Sequence, residues 1–84
     1  MALQRIRQLS PGIVQDPTIN SGRPIIEGTR VFVDLILGLL ESGMSLAEIC
    51  QEYDLTPAQV MAVKHLTLEQ AAYVKGFADA QNEL

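Results

Sequence analysis

The sequence predicts a mainly α-helical domain with a short N-terminal β-hairpin, three to four helices and a candidate helix-turn-helix. Three capping boxes, in which Ser or Thr precedes Glu or Gln by three residues, mark helix starts in the second half of the chain. Residues 22–31 concentrate glycine, proline and β-branched side chains, which is typical of a tight hairpin. The 84 residues are 48% hydrophobic but only 5% aromatic, so we expect one domain with an aliphatic core.

The chain is predicted to consist of an N-terminal arm and one folded domain. In residues 1–12 the apolar pattern is too short to distinguish a helical turn from an irregular arm, and a Pro-Gly pair ends it. Residues 13–84 are predicted to form a single helix-turn-helix-like domain. Within it, residues 13–32 hold short strands and the hairpin, and residues 33–84 hold the helices.

Two extended segments are predicted before the helices. Ile13-Val14 begins a strand that Asp16-Pro17 ends, because the residue before a proline avoids the helical conformation. In the hairpin, Pro24 suits the start of an edge strand, and Gly28 suits a turn position with positive φ. Residues 31–33 then either return as a second strand or lead into the first helix. The alternative for the whole segment is a turn without strands.

Four helices are expected after the hairpin, at about residues 33–42, 46–53, 57–65 and 68–82. A capping box satisfies two backbone amides that a helix start would otherwise leave unpaired. The three boxes are formed by Ser45 with Glu48, Thr56 with Gln59, and Thr67 with Gln70. A proline directly after the second cap and a glycine after the first helix agree with these boundaries.

The first helix is apolar on two sides, which predicts that it is buried on two sides. In a chain this short, the simplest cover for the second side is another copy, so we expect a homodimer. The alternative is that the N-terminal strands cover it. The predicted dimer interface consists of Leu35, Ile36, Leu39 and Leu40.

The second and third helices fit the pattern of a helix-turn-helix, although a plain helical hairpin fills many of the same positions. Asp54 lies at the turn and tolerates the left-handed conformation better than most residues. Leu55 would fill the angle between the helices, and Cys50 is the small residue where they meet. The apolar residues expected to lock the pair are Ile49, Tyr53, Val60 and Val63.

In such a fold, the N-terminal part of the second helix meets DNA. Thr56 would bind a phosphate, Gln59 would read adenine, and Lys64 would add a positive charge. Residues 1–30 carry four arginines against two acids, whereas residues 31–84 carry two lysines against eight acids. The favourable electrostatics for nucleic acid therefore lie in the first part, with Arg23 and Arg30 as predicted phosphate contacts.

Several classes of protein are not expected. With one cysteine and one histidine, the chain has neither an intrachain disulfide nor a zinc site of the usual spacing. No nucleophile–base pair stands out, so we predict no enzyme, no catalytic residues and no cofactor. The longest apolar segment, residues 31–40, is too short to span a bilayer, and no secretory signal begins the chain. These patterns predict a cytoplasmic protein without a membrane partner.

A family resemblance rests on two short motifs and on the helical pattern that follows them. The matching residues are Asp16-Pro17, Gly22-Arg23-Pro24-Ile25-Ile26-Glu27-Gly28-Thr29-Arg30-Val31, Gly43-Met44-Ser45, Glu48-Ile49 and Tyr53-Asp54-Leu55-Thr56. Through them the chain resembles, over about residues 13–65, the small bacterial domain-of-unknown-function family 433. The resemblance implies a winged-helix or homeodomain-like helix-turn-helix, usually dimeric. It also implies an antitoxin, often encoded beside a PIN-like ribonuclease toxin.

The resemblance assigns roles to individual motif positions. It implies that Gly22, Pro24 and Gly28 shape the motif, and that Thr29 and Arg30 belong to the DNA-binding surface. Two functional hypotheses follow. The first is an antitoxin-like, DNA-binding transcriptional regulator of a toxin–antitoxin module, acting as a dimer on operator DNA. The second is a dimerisation or protein-interaction module that neutralises or scaffolds a partner protein and does not bind DNA.

Overall fold

The computed structural model describes the backbone of residues 5–81 and the side chains of residues 5–77. The strands are β1 (Arg7–Ser10), β2 (Ile13–Gln15) and β3 (Ile25–Ile26), and the helices are α1 (Val33–Glu41), α2 (Leu46–Tyr53), α3 (Pro57–Lys64) and α4 (Leu68–Gln81). The predicted fold, mainly α-helical with a short N-terminal hairpin, is confirmed. None of the helices in residues 5–81 is long and apolar enough to cross a membrane.

The three strands form one antiparallel sheet in the order β1-β2-β3. The register of β1 on β2 shifts between Gln8 and Ser10, which is a local bulge. Residues 1–12 were predicted to form an N-terminal arm, but Arg7–Ser10 form the strand β1. β1 forms because its backbone pairs with β2. The alternation of apolar and polar side chains over so few residues does not predict this pairing. The outer part of the arm, residues 1–4, lies outside the described residues.

The hairpin predicted in residues 22–31 is present and short. The Thr29 N–H donates to the Ile26 carbonyl oxygen at 3.0 Å, and Gly28 has a φ of 81°, as in a type II turn. The Ile26 N–H donates to the Val31 carbonyl oxygen at 3.0 Å, and Phe32 forms an isolated bridge with Ile25. The returning segment therefore pairs with β3 for one step before α1 begins.

Apart from the end of α4, the helix boundaries agree with the predicted ones to within one residue, because local signals define them. The predicted end of that last helix, at residue 82, lies outside the described residues. All three capping boxes are formed; in the first, the Glu48 N–H donates to Ser45 Oγ at 3.1 Å. The Ser45 N–H donates back to the Glu48 carboxylate, and this bond, with a smaller contribution from the Ser45 side chain, holds the pKa of Glu48 below its ordinary value. The ionised carboxylate therefore stabilises the helix start at neutral pH, and this contribution is lost as the pH falls through the lowered pKa. Gly43, with a φ of 98°, ends α1.

The core lies between one face of the sheet and the four helices. Ile13 and Ile26 contribute the sheet side of this core. Their neighbours Val14 and Ile25 are also buried but lie outside the core cluster, because successive strand residues point to opposite faces. The helical members of the core are Val33, Ile36, Leu37, Ile49, Leu55, Val60, Val63 and Val74.

The two sides of α1 are buried to different extents. Ile36 is fully buried in the core of its own chain, so its assignment to a dimer interface is wrong: it has no surface to offer a partner. Leu35 is 40% exposed, and Leu39 and Leu40 are half-buried against the edge of the core. These three leucines keep the predicted role as an interface that a second copy would cover.

Candidate nucleic-acid interface

The connection between α2 and α3 has the form predicted for a helix-turn-helix. Asp54 ends α2 in the left-handed conformation, with φ 55° and ψ 47°. The next residue, Leu55, is buried, and its N–H donates to the Cys50 carbonyl oxygen at 3.0 Å. Val60 and Val63 bury one side of α3 in the core. The other side of α3 is left as the surface that could meet a nucleic acid.

The start of α3 is fixed by its capping box. The Gln59 N–H donates to Thr56 Oγ1 at 3.2 Å, and the Thr56 N–H donates to Gln59 Oε1 at 2.8 Å. Thr56 is exposed, and Gln59 is half-buried. Both side chains are thus held at the N-terminal end of α3. The Gln59 Nε2 takes no part in these two bonds and is the side-chain donor that remains.

The rest of the exposed side of α3 is narrow and weakly charged. Lys64 is exposed in the last turn. Ala62 is half-buried, because the β1–β2 turn lies against α3: a Cβ built on Gly12 would lie 3.0 Å from the Ala62 Cβ. On the neighbouring α2 and its end, Glu48, Glu52 and Asp54 are exposed and would repel phosphates.

Two of the predicted DNA contacts are occupied within the fold. Arg23 forms a forked ion pair with Asp34, with Nη2 2.6 Å from Oδ2 and Nε 3.2 Å from Oδ1. Its guanidinium also lies over the Phe32 ring, 3.9 Å from the centroid. Thr29 Oγ1 donates to the Ile26 carbonyl oxygen at 2.7 Å and accepts from the Val31 N–H at 3.0 Å. Arg23 therefore ties the hairpin segment to α1, and Thr29 closes the hairpin turn.

The remaining motif residues shape the backbone. Gly22, the last residue of the short 3-10 turn Asn20–Gly22, has a φ of 85°, and Gly28 has positive φ in the hairpin. Pro24 is fully buried, and its carbonyl oxygen accepts from the Val33 N–H at the start of α1. Arg30, in contrast, is exposed at the end of the hairpin.

A cleft of about 570 Å³ lies on the face of the sheet that points away from the helices. Val14 and Ile25 line it, and the motif residues 28–30 stand at its rim. Hydrogen bonds from the Thr18 hydroxyl and N–H hold the pKa of Asp16 below its ordinary value, with a smaller contribution from the charge of Arg30. The rim therefore carries charges of both signs.

The family is decided by a comparison with family models. The model described as "Protein of unknown function (DUF433)" matches residues 13–72, which is well over half of the chain. The chain belongs to the DUF433 family. Comparison with curated proteins and with solved structures returned no match. The matched segment includes the hairpin motif, the helices α1 to α3 and the first part of α4.

A second cleft, of about 360 Å³, lies partly outside the DUF433 segment. Arg5 and Arg7 line it from the N-terminal side, and Tyr73 and Phe77 line it from α4. Gln15 lies between them; its Nε2 donates to the Gly22 carbonyl oxygen at 3.1 Å and to the Tyr73 hydroxyl at 3.0 Å. The buried Gln15 Oε1 has no hydrogen-bond partner among the described residues, which costs about 1–3 kcal/mol unless a donor binds there.

This second cleft was not predicted from the sequence. Two local signals point to it: arginines at positions 5 and 7, which have the period of a strand, and aromatic residues at 73 and 77, which have the period of a helix. Nothing in the sequence indicates that the two pairs meet. Among the described residues, no group of three or more His, Cys, Asp or Glu side chains is arranged to hold a metal ion.

Proposed function

We propose that this DUF433 protein is an antitoxin-like transcriptional regulator that binds operator DNA as a homodimer. The observation that carries the proposal is the α2–α3 connection, with its left-handed Asp54, buried Leu55 and capped α3 start. A helix-turn-helix of this form places the N-terminal residues of its second helix in the major groove. The antitoxin part rests on the family resemblance, in which a PIN-like ribonuclease would be the toxin partner.

The contacts differ from those expected from the sequence alone. Gln59 Oε1 already accepts from the Thr56 N–H, so the side chain would read bases chiefly by donating from Nε2 to an acceptor such as N7 of a purine. Thr56, Arg30 and Lys64 are exposed and supply phosphate contacts. One copy offers few such contacts, so two copies on one duplex are needed for useful affinity.

Dimerisation would use the outer side of α1. Leu35 is exposed, and Gly38 and Leu39 follow it at helical spacing on the same side. A Cβ added at Gly38 would meet no atom within 4 Å, so the fold of one chain does not require glycine there. Glycine inside a helix costs about 1 kcal/mol relative to alanine. The close approach of a partner helix explains why a small residue is suitable at this position.

Replacing Gly38 with glutamine tests the interface without disturbing the core. We expect the variant to keep the fold, because the new side chain points into open space, and to lose the dimer, because the side chain blocks the partner helix. Sedimentation equilibrium measures the mass of the unsubstituted protein and of the Gly38→Gln variant. Gly76→Gln is the matched control, since a Cβ there also meets no atom within 4 Å. An unchanged dimer in Gly38→Gln would rule out this surface.

Removing single positive charges tests the DNA surface. We expect Arg30→Gln and Lys64→Gln each to weaken binding to duplex DNA and to lower the slope of log affinity against log salt by about 2, because each substitution removes one phosphate contact from each copy of the dimer. Fluorescence anisotropy over a salt series measures both quantities. Lys75→Gln is the control, because Lys75 is paired with Glu41 across α4 and α1. Slopes that stay equal in all four proteins would show that neither residue contacts phosphate.

The second candidate function is a protein-interaction module without a DNA role. The acidic residues exposed on α2 favour it, as does the use of Arg23 and Thr29 inside the fold. Purification of the chain from its native host separates the two candidates. A stoichiometric small nuclease supports the antitoxin role, and its absence together with the absence of duplex binding would leave only the dimerisation module.

A further inference from the structure

The cleft between the N-terminal strands and α4 has two unlike walls. Arg5 and Arg7 are exposed and two residues apart, so both lie on the same side of an extended chain. Arg7 pairs directly with Gln15 of β2. Opposite them, Tyr73 and Phe77 lie one helical turn apart on α4. We name this the arginine–tyrosine cleft, defined by these five residues.

The charge of this cleft is of one sign. Of the described residues that line it, two are arginines and none is a carboxylate. The larger cleft on the sheet, in contrast, is lined by Asp16 and Glu27 as well as Arg30. In a chain with a net charge of −4, a site with two arginines and no acid among its described lining residues favours an anionic ligand. Arginine binds phosphate oxygens through paired N–H donors.

The aromatic wall is ordered and partly open to solvent. The Tyr73 and Phe77 rings meet edge to face, with centroids 5.2 Å apart and planes at 83°. The hydrogen bond from Gln15 Nε2 holds the Tyr73 hydroxyl, yet 44% of the residue remains exposed. A fixed and exposed ring next to positive charge is the arrangement on which nucleic-acid bases stack.

The Gln15 side chain adds a polar group between the two walls. Gln15 is 8% exposed, and its Oε1 has no hydrogen-bond partner among the described residues. An amino group of a base or a hydroxyl of a ribose is a donor that suits this oxygen. A volume of about 360 Å³ is at the small end of the range for ligand sites and fits one such unit better than a longer ligand.

We propose that the arginine–tyrosine cleft binds a single nucleotide, with its phosphate on Arg5 and Arg7 and its base on Tyr73. The nucleotide is either free or the terminal unit of a single strand. The site uses none of the residues assigned to duplex binding, and four of its five defining residues lie outside residues 13–72. The proposal therefore goes beyond the regulator function and can fail independently of it.

The test is an NMR titration of the ¹⁵N-labelled full chain with adenosine and uridine 5′-monophosphates and with 5′-phosphorylated single-stranded tetranucleotides. We expect saturable shifts of the Gln15 side-chain amide and of the Gly22 and Phe77 backbone amides. Equal affinity for mononucleotide and tetranucleotide supports a free nucleotide as the ligand, and tighter binding of the tetranucleotide supports a strand end. The absence of shifts at these groups with both probes at millimolar concentration would overturn the proposal.

Variants separate the two halves of the site. Loss of one stacked base corresponds to about a tenfold or larger loss of affinity, so we expect that effect for Tyr73→Leu and little change for Tyr73→Phe, which keeps the ring. The pair Arg5→Gln and Arg7→Gln should weaken binding at least as much. Lys75→Gln is the control, because Lys75 pairs with Glu41 and does not line the cleft, and it should leave nucleotide affinity unchanged. Equal shifts with inorganic phosphate alone, or unchanged affinity in the double arginine variant, would contradict the proposal.

Discussion

Replacing Asp34 with alanine is expected to lower the free energy of unfolding by about 3 kcal/mol, because it removes the carboxylate that forms a forked ion pair with the half-buried Arg23 guanidinium. The Asp34 and Arg23 side chains are 8% and 17% exposed, so water cannot fully replace the lost carboxylate. A domain of this size has a total stability of about 4–13 kcal/mol, so the effect is a large part of it. Urea denaturation followed by circular dichroism measures the change.

A double-mutant cycle shows whether loss of the Arg23–Asp34 ion pair causes the destabilisation by Asp34→Ala. Arg23→Met removes the charge and keeps a long side chain against Phe32, so Asp34→Ala should cost much less in that background. Glu41→Ala is the control, because the Glu41–Lys75 pair is about half exposed on both sides and should contribute little. Equal costs of Asp34→Ala in both backgrounds would show that the pair does not carry the effect.

Replacing Ile36 with alanine is expected to destabilise the chain by about 2–5 kcal/mol, because Ile36 is fully buried and its loss leaves a cavity in the core. The neighbouring Leu35 is 40% exposed, so Leu35→Ala should cost much less in a monomer. Chemical denaturation at low protein concentration, where any dimer has dissociated, measures both values.

The same two variants separate core from interface. We expect Leu35→Ala to weaken the dimer measured by sedimentation while the monomer stays folded. A cost for Leu35→Ala as large as that for Ile36→Ala at low concentration would mean that Leu35 belongs to the core of one chain, and that α1 has no free side for a partner.

The helical half could be predicted closely from the sequence because its signals are local. Each of the caps Ser45, Thr56 and Thr67 lies three residues from its Glu or Gln partner, and the structure forms all three boxes. The left-handed turn at Asp54 and the glycine end of α1 at Gly43 depend equally on neighbouring residues. Within such short spans, local hydrogen bonds and backbone conformation determine where a helix begins and ends, without the need for tertiary packing.

The interactions that were not predicted either join residues distant in the sequence or have a partner other than the predicted one. Arg23 was predicted to contact phosphate, yet it pairs with Asp34, eleven residues later, once the hairpin has turned back onto α1. Ile36 was assigned to a partner, yet the sheet and the other helices of the same chain cover it. A count of charges or apolar residues cannot decide which groups a fold will bury.

The arginine–tyrosine cleft shows the same limit most clearly. The Gln15–Tyr73 hydrogen bond joins residues 58 positions apart. The walls of the cleft come from the two ends of the chain. They meet only when β1 joins the sheet and α4 packs beside it. Each half is visible in the sequence as a pair of similar residues, but their apposition depends on the complete fold.

Binding of the full chain to DNA upstream of its own gene, compared with an unrelated duplex of equal length, tests the proposed regulator most directly. Specific sites are typically bound about 10³-fold or more tighter than random DNA, so we expect a clear preference at low salt that weakens as salt rises. We also expect Arg30→Gln to reduce it. Equal binding to both duplexes, with no effect of Arg30→Gln, would contradict the proposal.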